Sequence, residues 1–243
     1  MRWACTVAEE GARWALVTAG AAGLGAGLVR ALVQDGFRVV VHYHRSREAF
    51  DALERELGAA VSGVSADLST SEGRATVVDA VEAPALSVLV NNLGVYPEED
   101  ILDIDDDHFD EIFRLTCTAS FDLVRRLRPR LAAAAPSHVV NIGDSGADRI
   151  EARRQATPYH IAKLGVHVLT RTWAEALAPE GISVNMVSPG FLVNSVGEPG
   201  EPIPVGRPGA FDDVAAALRF LISDAATYVR GTNVLVNGGW NLG

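Results

Sequence analysis

A glycine-rich turn between a short apolar run and a helical stretch is the feature that most constrains how this chain folds. The turn occupies residues 18–25, with the sequence TAGAAGLG, and follows the apolar residues 14–18. Glycines permit a tight turn, and the first amides of the following helix form a positive site suited to a phosphate group. In the first βα unit of a parallel sheet, this arrangement binds a dinucleotide pyrophosphate. The residues expected to contact it are Gly20, Gly23, Leu24 and Gly25.

The rest of the chain repeats the same alternation of apolar runs and longer amphipathic stretches. Continuous apolar runs are typical of parallel strands that are covered on both faces. The pattern predicts strands at 14–18, 38–43, 60–65, 87–91, 138–142, 183–187 and 233–236, and helices at 24–35, 47–57, 71–81, 106–131, 158–177 and 211–223. We therefore expect one α/β domain over residues 1–243, a doubly wound Rossmann-like fold with a mostly parallel seven-stranded sheet and helices on both faces.

Composition excludes several classes of function. The formal net charge of −10 argues against binding to nucleic acids or to anionic membranes, because phosphate contacts need clustered cations. The apolar residues 15–29 are too short to span a bilayer and follow two glutamates, which argues against a targeting signal. Two isolated cysteines predict neither a disulfide framework nor a metal site, and they fit a cytoplasmic protein.

The end of the second predicted strand indicates which dinucleotide binds. NAD-binding folds usually place a carboxylate here for the ribose hydroxyls. This strand instead leads into His44, Arg45 and Ser46, and Glu48 is the first carboxylate to follow. A guanidinium and a hydroxyl suit the 2′-phosphate of NADP(H), which is the predicted cofactor, whereas the alternative is a solvated basic loop.

Tyr159 and Lys163 form the candidate catalytic pair. Their spacing of four residues puts both on one face of the predicted helix, near its beginning at Pro158. A nearby ammonium stabilises phenolate and allows a tyrosine to act as a general acid near neutral pH. The ammonium can also hydrogen-bond a ribose, so Tyr159 and Lys163 are candidate cofactor-binding residues as well. Lys163 is the single lysine among 21 basic residues, and arginine does not replace its compact charge.

Together these motifs resemble the short-chain dehydrogenase/reductase family over nearly the whole chain. The matching segments are residues 18–25, 67–68, 91–94, 141–143, Tyr159 with Lys163, 188–190 and 236–239. The resemblance implies that Asp67 and Leu68 contact adenine, that Asn92, Leu93 and Gly94 lie near the adenine ribose, and that Pro189, Gly190 and Leu192 contact the nicotinamide end. It also implies a homotetramer or a homodimer, with two long central helices in one interface.

Several residues depart from the family pattern. Ala19 stands where a glycine is usual, and Thr116 aligns with the usual helical asparagine, which puts the family's proton relay in doubt. Asp144 aligns with the catalytic serine and Ser145 follows it, so either residue is a candidate to hold the substrate oxygen. About two extra residues precede Tyr159, in a segment with Arg153 and Arg154.

These departures leave more than one function open. Asp144 and residues 43–46 resemble pteridine reductases, although Gly23 replaces the arginine that those enzymes carry in the turn. Residues 183–192 and 205–209 resemble 3-oxoacyl-ACP reductases equally well. Four arginines close together on one predicted helix have two interpretations: they bind an acidic carrier protein, or they form a solvated helix end. These residues are Arg125, Arg126, Arg128 and Arg130. The predicted function is NADPH-dependent reduction of a carbonyl, and the alternatives are a dihydropterin reductase and an NADP(H)-binding sensor without turnover.

Two segments interrupt the alternation. Residues 98–111 carry nine acidic side chains, which favours a solvated helix start because carboxylates stabilise a helix N-terminus. Residues 192–210 are rich in proline and glycine and lack helical periodicity. A loop of this length in a compact domain is typical of a lid over a functional site.

Overall fold

The computed structural model describes residues 11–146, 148–195, 197 and 199–242. Its seven strands are β1 (Arg13–Val17), β2 (Phe37–Tyr43), β3 (Val61–Ser65), β4 (Val88–Asn91), β5 (Ser137–Ile142), β6 (Ile182–Pro189) and β7 (Asn233–Val236). Its helices are α1 (Gly23–Gln34), α2 (Arg47–Leu57), α3 (Ser71–Asp79), α4 (Asp106–Phe113), α5 (Ala119–Ala133), α6 (Thr157–Leu177) and α7 (Phe211–Leu221). The predicted strand and helix order is confirmed.

All seven strands pair in parallel, in the order β3-β2-β1-β4-β5-β6-β7. Strands β2 and β3 extend the sheet on one side of β1, and β4 to β7 extend it on the other. At such a switch point in the strand order, a crevice opens at the carboxyl ends of β1 and β4, and ligands of open α/β sheets bind there. The glycine turn and residues 91–94 meet at this point. The predicted doubly wound fold is therefore confirmed, and it brings the cofactor motifs together.

Two apolar layers cover the sheet. One layer packs α1 and α7 on one face through residues such as Leu28, Val29 and Leu218. The other packs α3, α5 and α6 on the opposite face, with Leu123, Leu127 and Leu177. Successive side chains of β2 point into different layers: Val39 lies in the first layer and Val40 in the second. Because both faces of the sheet are buried, the strands are apolar without interruption.

The predicted single helix over residues 106–131 is wrong in one respect. Residues 114–118 form a π-helical segment, which separates α4 from α5. The segment contains Thr116 and Thr118, whose β-branched side chains fit a regular helix less well. The Ser120 hydroxyl also bonds to the Thr116 carbonyl at 2.8 Å. Insertions of this kind are frequent at functional sites.

The start of α4 accounts for part of the acidic segment. The Asp105 carboxylate accepts a hydrogen bond from the His108 amide at 2.8 Å, and Asp106 and Asp107 occupy the first turn. Carboxylates at these positions satisfy free amides and interact favourably with the helix dipole. The expected acidic helix start is present.

The four arginines of α5 are engaged within the chain. Arg125 and Arg126 both pair with the buried Asp122, whose pKa falls to about 2 because three arginines, Arg74 included, outweigh its burial. Arg128 pairs with Glu180, and Arg130 donates to the Val78 carbonyl at 3.0 Å. The run therefore ties α5 to its neighbours, which weakens the carrier-protein interpretation.

Over the residues that the structure describes, none of the helices combines the length and the hydropathy needed to traverse a lipid bilayer.

Candidate active site

The glycine turn has the backbone geometry of a phosphate site. A Cβ on Gly25 would lie 2.1 Å from the Ala19 carbonyl oxygen, so only glycine fits there. Gly23 has a φ of +52° and begins α1, whose N-terminus has no side-chain cap. Ala19, which stands in the usual place of a glycine, also adopts a left-handed φ of +49°. The amides at the start of α1 are therefore available to an anionic ligand.

Residues after β4 brace the turn. The Thr18 hydroxyl accepts hydrogen bonds from the amides of Asn92 and Leu93 at 2.9 and 3.1 Å. The Asn92 side chain donates to the carbonyls of Thr18 and Ala19 at 3.1 and 3.2 Å. The two motifs predicted separately to contact the cofactor thus form one unit.

His42, in β2, is a residue whose role sequence reasoning missed. Its buried imidazole bonds to the Ala19 amide through Nδ1 at 3.1 Å and to the Ala66 carbonyl through Nε2 at 3.0 Å. The side chain connects the turn to the segment that carries Asp67 and Leu68. One signal in the sequence points to this residue: it is a polar residue in a continuous apolar strand, just before His44 and Arg45.

The predicted 2′-phosphate corner is open to solvent. His44, Arg45 and Ser46 are all exposed after β2. Asp67 lies beside them and accepts a hydrogen bond from the Ser69 amide at 2.9 Å. Burial raises the pKa of Asp67, but the Ser69 bonds and the charges of His44 and Arg45 outweigh it and lower the pKa overall. Leu68 is buried, and its carbonyl accepts from the Arg74 guanidinium at 2.8 Å.

Tyr159 and Lys163 lie together on α6. The Lys163 ammonium is 5.6 Å from the Tyr159 ring centroid and donates to the Ile142 carbonyl at 2.7 Å. Gly94 packs against both side chains, since a Cβ there would lie 2.8 Å from Lys163 Nζ. Burial lowers the pKa of Lys163 to about 8, while Asp144 acts in the opposite direction. Gly94 therefore lies directly beside the candidate catalytic pair.

Asp144, and not Ser145, faces Tyr159. The Asp144 carboxylate lies close enough to the Tyr159 hydroxyl for its charge to raise the pKa of that hydroxyl, and it accepts a hydrogen bond from the Gly146 amide at 2.9 Å. Burial raises the pKa of Tyr159 well above its ordinary value, and the negative charge of Asp144 raises it further. Ser145 is 1% exposed, and its hydroxyl has no hydrogen-bond partner among the described residues. The structure therefore separates the two candidates for the third polar group.

Polar side chains brace the strands behind the pair. Asn91 donates to Asn141 at 2.8 Å, and Asn141 donates to Thr170 on α6, also at 2.8 Å. Thr116 is fully buried in the π-helical segment, and its hydroxyl lacks a partner within the described part of the chain. Its carbonyl accepts a hydrogen bond from the Ser120 hydroxyl at 2.8 Å.

The mouth of the site is formed by two loops that pair with each other. Residues Asp100 and Gln155 form an antiparallel bridge, and the Ile101 amide donates to the Arg154 carbonyl at 2.9 Å. Part of the acidic segment therefore pairs with the loop that leads into α6 and is not part of the solvated helix start. Arg154 also pairs with the Asp100 carboxylate. Tyr96 lies beside the candidate catalytic tyrosine, with its ring centroid 5.2 Å from that of Tyr159.

The predicted nicotinamide end follows β6. The Gly190 amide donates to the Val236 carbonyl at 3.0 Å, immediately after Pro189. Leu192 is buried and forms a bridge with Gly209, so the two ends of the predicted lid loop are held together. The loop also brings Asn194 to the glycine turn, where a Cβ on Gly23 would lie 3.0 Å from the Asn194 amide nitrogen. Sequence reasoning did not single out Asn194.

Comparison with known proteins gives the family of the chain. The sequence model of a family described as enoyl-(acyl carrier protein) reductase matches residues 19–241. A galactitol 2-dehydrogenase (L-tagatose-forming) from Cereibacter sphaeroides is 30% identical, over 94% of this chain and 94% of the relative. The chain is a short-chain dehydrogenase/reductase. This family of oxidoreductases acts on CH–OH and C=O groups, as the sequence resemblance implied.

Other similar proteins agree. A 3-oxoacyl-(acyl-carrier-protein) reductase from Staphylococcus aureus is 29% identical, over 93% of this chain and 96% of the relative. A short-chain dehydrogenase from Burkholderia cenocepacia in complex with NADP superimposes with a TM-score of 0.86 at 26% identity, over 93% of this chain and 97% of that one. The Pseudomonas aeruginosa RhlG/NADP complex gives a TM-score of 0.85 at 28% identity, over 95% and 96%.

Proposed function

We propose that this short-chain dehydrogenase/reductase reduces a carbonyl with NADPH. The observation that carries the proposal is the placement of Tyr159, Lys163 and Asp144 at the same sheet edge as the glycine turn. Bound NADPH supplies a hydride, and the chain supplies a proton and a fixed substrate orientation. Gly20, Gly23, Leu24 and Gly25 hold the pyrophosphate, and Lys163 and the residues near Pro189 and Leu192 hold the nicotinamide half.

The roles in proton transfer follow from the chemistry of the side chains and their positions in the site. The Tyr159 hydroxyl donates its proton to the substrate oxygen as that oxygen gains negative charge. Lys163, held by the Ile142 carbonyl, stabilises the phenolate that remains. Burial and Asp144 raise the pKa of Tyr159, opposite to the lowering expected from Lys163, so the hydroxyl keeps its proton well above neutral pH, which is the form needed by a general acid in reduction.

The preference for NADPH rests on Arg45. Arg45 is exposed beside Ser46, and its charge acts on the nearby Asp67. It is therefore available for the 2′-phosphate, whose charge also suits His44. Both solved relatives described above are NADP complexes, which supports this choice.

Arg45→Ala should relax cofactor preference. We expect the KM for NADPH to rise about tenfold or more, since a charge-assisted contact contributes about 1.5–3 kcal/mol, while the KM for NADH stays close to its original value. Steady-state kinetics with both cofactors measures this change, and Arg47→Ala, which removes an arginine paired with Asp51, is the matched control. Equal losses for NADPH and NADH would contradict the assignment of Arg45.

A panel of carbonyl compounds identifies the substrate class. The relatives motivate 3-oxoacyl thioesters and ketoses, and other ketones extend the panel. NADPH oxidation above the background rate with at least one of these compounds is the expected result. Tight NADPH binding without turnover across the panel would instead favour an NADP(H)-binding sensor. Two observations motivate this alternative: Asp144 replaces the usual serine, and Thr116 replaces the usual asparagine.

Dihydropterin reduction is the second candidate, and the contact between Asp144 and Tyr159 favours it. A carboxylate at this position suits a substrate with a ring nitrogen to be protonated. Two observations argue against this candidate. Pteridine reductases carry an arginine in the turn where this chain has Gly23, and the chain also resembles 3-oxoacyl-ACP reductases.

Asp144→Ser distinguishes the two enzymes. If the substrate is a ketone, we expect the variant to retain or increase its reductase activity, whereas a dihydropterin reductase should lose activity about 10²-fold or more, as when a general acid is removed. Removing the carboxylate also lowers the pKa of Tyr159, so alcohol oxidation should extend to lower pH. Rates with ketones and dihydropterins, and the pH profile of the reverse reaction, measure both effects. A pH profile that does not move would contradict the electrostatic role of Asp144.

The exposed apolar faces of α5 and α6 support a homotetramer or a homodimer. Phe121, Ile161 and Val168 are each at least 39% exposed, and Phe121 stacks on Trp173 across the two helices. Neighbouring apolar side chains of this kind are typical of an interface between subunits.

A further inference from the structure

His42 is hydrogen-bonded to two of the three segments that we assign to the cofactor, and it lies two residues before the third in sequence. Its Nδ1 lies 3.1 Å from the Ala19 amide of the glycine turn, and its Nε2 lies 3.0 Å from the carbonyl of Ala66, next to Asp67. Its own backbone carbonyl accepts from the Gly20 amide at 2.8 Å. The chain leaves β2 after Tyr43 and continues directly into His44 and Arg45. One buried residue therefore links the proposed pyrophosphate and adenine subsites, and it lies shortly before the proposed 2′-phosphate subsite in sequence.

The two hydrogen bonds determine the protonation state of His42. The Ala19 amide donates, so Nδ1 accepts and carries no proton, while Nε2 carries a proton that it donates to the Ala66 carbonyl. The imidazole is 2% exposed, so water does not replace either partner. The arrangement is thus specific to the neutral imidazole with its proton on Nε2.

Ala19 makes the turn depend on this contact. Its φ of +49° is unfavourable for a residue with a Cβ, and the bond to His42 helps to hold it there. The Ala19 carbonyl lies close against Gly25 at the start of α1. A change at Ala19 therefore reaches the amides that face the pyrophosphate.

We propose that His42 is a positioning residue of the dinucleotide site, which holds the glycine turn in its binding geometry only while the imidazole is neutral and thereby makes cofactor affinity fall in acid. The inference rests on the proposed binding of NADP(H).

The sign of the pH effect follows from the groups that face His42. Burial lowers the pKa of His42, the Ala66 carbonyl acts against it, and His44 and Asp67 exert smaller opposing effects. Protonation would place a hydrogen on Nδ1 opposite the Ala19 N–H, so that two donors face each other. Affinity is therefore complete while His42 is neutral, and it declines as the pH falls through the pKa of His42, which burial holds below the ordinary histidine value of about 6.5.

The test is calorimetric titration with NADP⁺ between about pH 5 and pH 8. The 2′-phosphate itself titrates near pH 6 in every variant, so the comparison is between variants. His42→Asn keeps an acceptor for Ala19 and does not titrate. We expect the affinity of the wild type to fall several-fold more than that of His42→Asn over this range. His138→Asn alters a half-buried histidine at the opposite end of the sheet and should follow the wild type.

A second pair of variants tests the geometry at constant pH. His42→Leu removes the acceptor, and we expect the Kd for NADP⁺ to rise about tenfold, as for one lost hydrogen bond. Adding Ala19→Gly, which removes the unfavourable φ, should restore most of that loss. Thermal melting checks that each variant is folded.

Two results would overturn the proposal: parallel pH curves for the wild type and His42→Asn, or a Kd for folded His42→Leu equal to that of the wild type. A wild-type protein that does not bind NADP⁺ at any pH would refute the proposed cofactor instead.

Discussion

Tyr159→Phe is expected to lower kcat for carbonyl reduction by about 10²–10⁴-fold, the usual contribution of a positioned general acid. The substitution removes one oxygen and leaves the ring, which packs at 5.2 Å from Tyr96 and 5.4 Å from His160. The cofactor turn lies on other elements, so the Kd for NADPH should change little. The loss should therefore appear in kcat and not in cofactor binding.

Single-turnover measurement of NADPH oxidation, together with a fluorescence titration of the cofactor, separates these quantities. Tyr228→Phe is the matched control, because Tyr228 is fully exposed and distant in sequence from the site. Reduction that proceeds at the wild-type rate in Tyr159→Phe would rule out this tyrosine as the proton donor.

Lys163→Arg should inactivate the enzyme although it preserves the positive charge. The ammonium is 3% exposed, and a Cβ on Gly94 would lie only 2.8 Å from it, so a guanidinium has no room. Arginine's planar fork also does not reproduce the single bond to the Ile142 carbonyl. We expect kcat to fall about 10²-fold or more, since the stabilisation of the phenolate is lost, and the melting temperature to fall as well.

Lys163→Met separates size from charge, because methionine is flexible and fits the cavity but is neutral. We expect it to melt at a higher temperature than Lys163→Arg and to be comparably inactive. Arg171→Lys is the control, because it exchanges arginine and lysine at an exposed position of the same helix and should leave the activity unchanged. An active Lys163→Arg enzyme would contradict the requirement for a compact cation.

Much of the fold was predictable because its signals are local. A strand buried on both faces is apolar throughout, and a glycine turn that precedes a helix has few alternatives; β2 and α1 are examples. The family was likewise predictable, since its motifs occur in order along one chain. The pairing of Tyr159 and Lys163 follows directly from helical periodicity.

Other features depend on contacts between distant residues. Which of Asp144 and Ser145 turns toward Tyr159 is decided by a loop conformation in which the Ser145 amide bonds to the Pro189 carbonyl at 3.0 Å. The bridge between Asp100 and Gln155 joins two loops of unrelated composition. A helical pattern also does not reveal a π-helical turn at Thr116, because the apolar period continues through it.

The buried position of Lys163 has a practical consequence for spectroscopy. Since the chain contains no other lysine, isotope labelling of this amino acid alone places a single reporter in the protein. Its resonance would come from the ammonium beside Tyr159, free of overlap. A titration of that one signal would read the lysine pKa of about 8 directly, with and without a bound nucleotide.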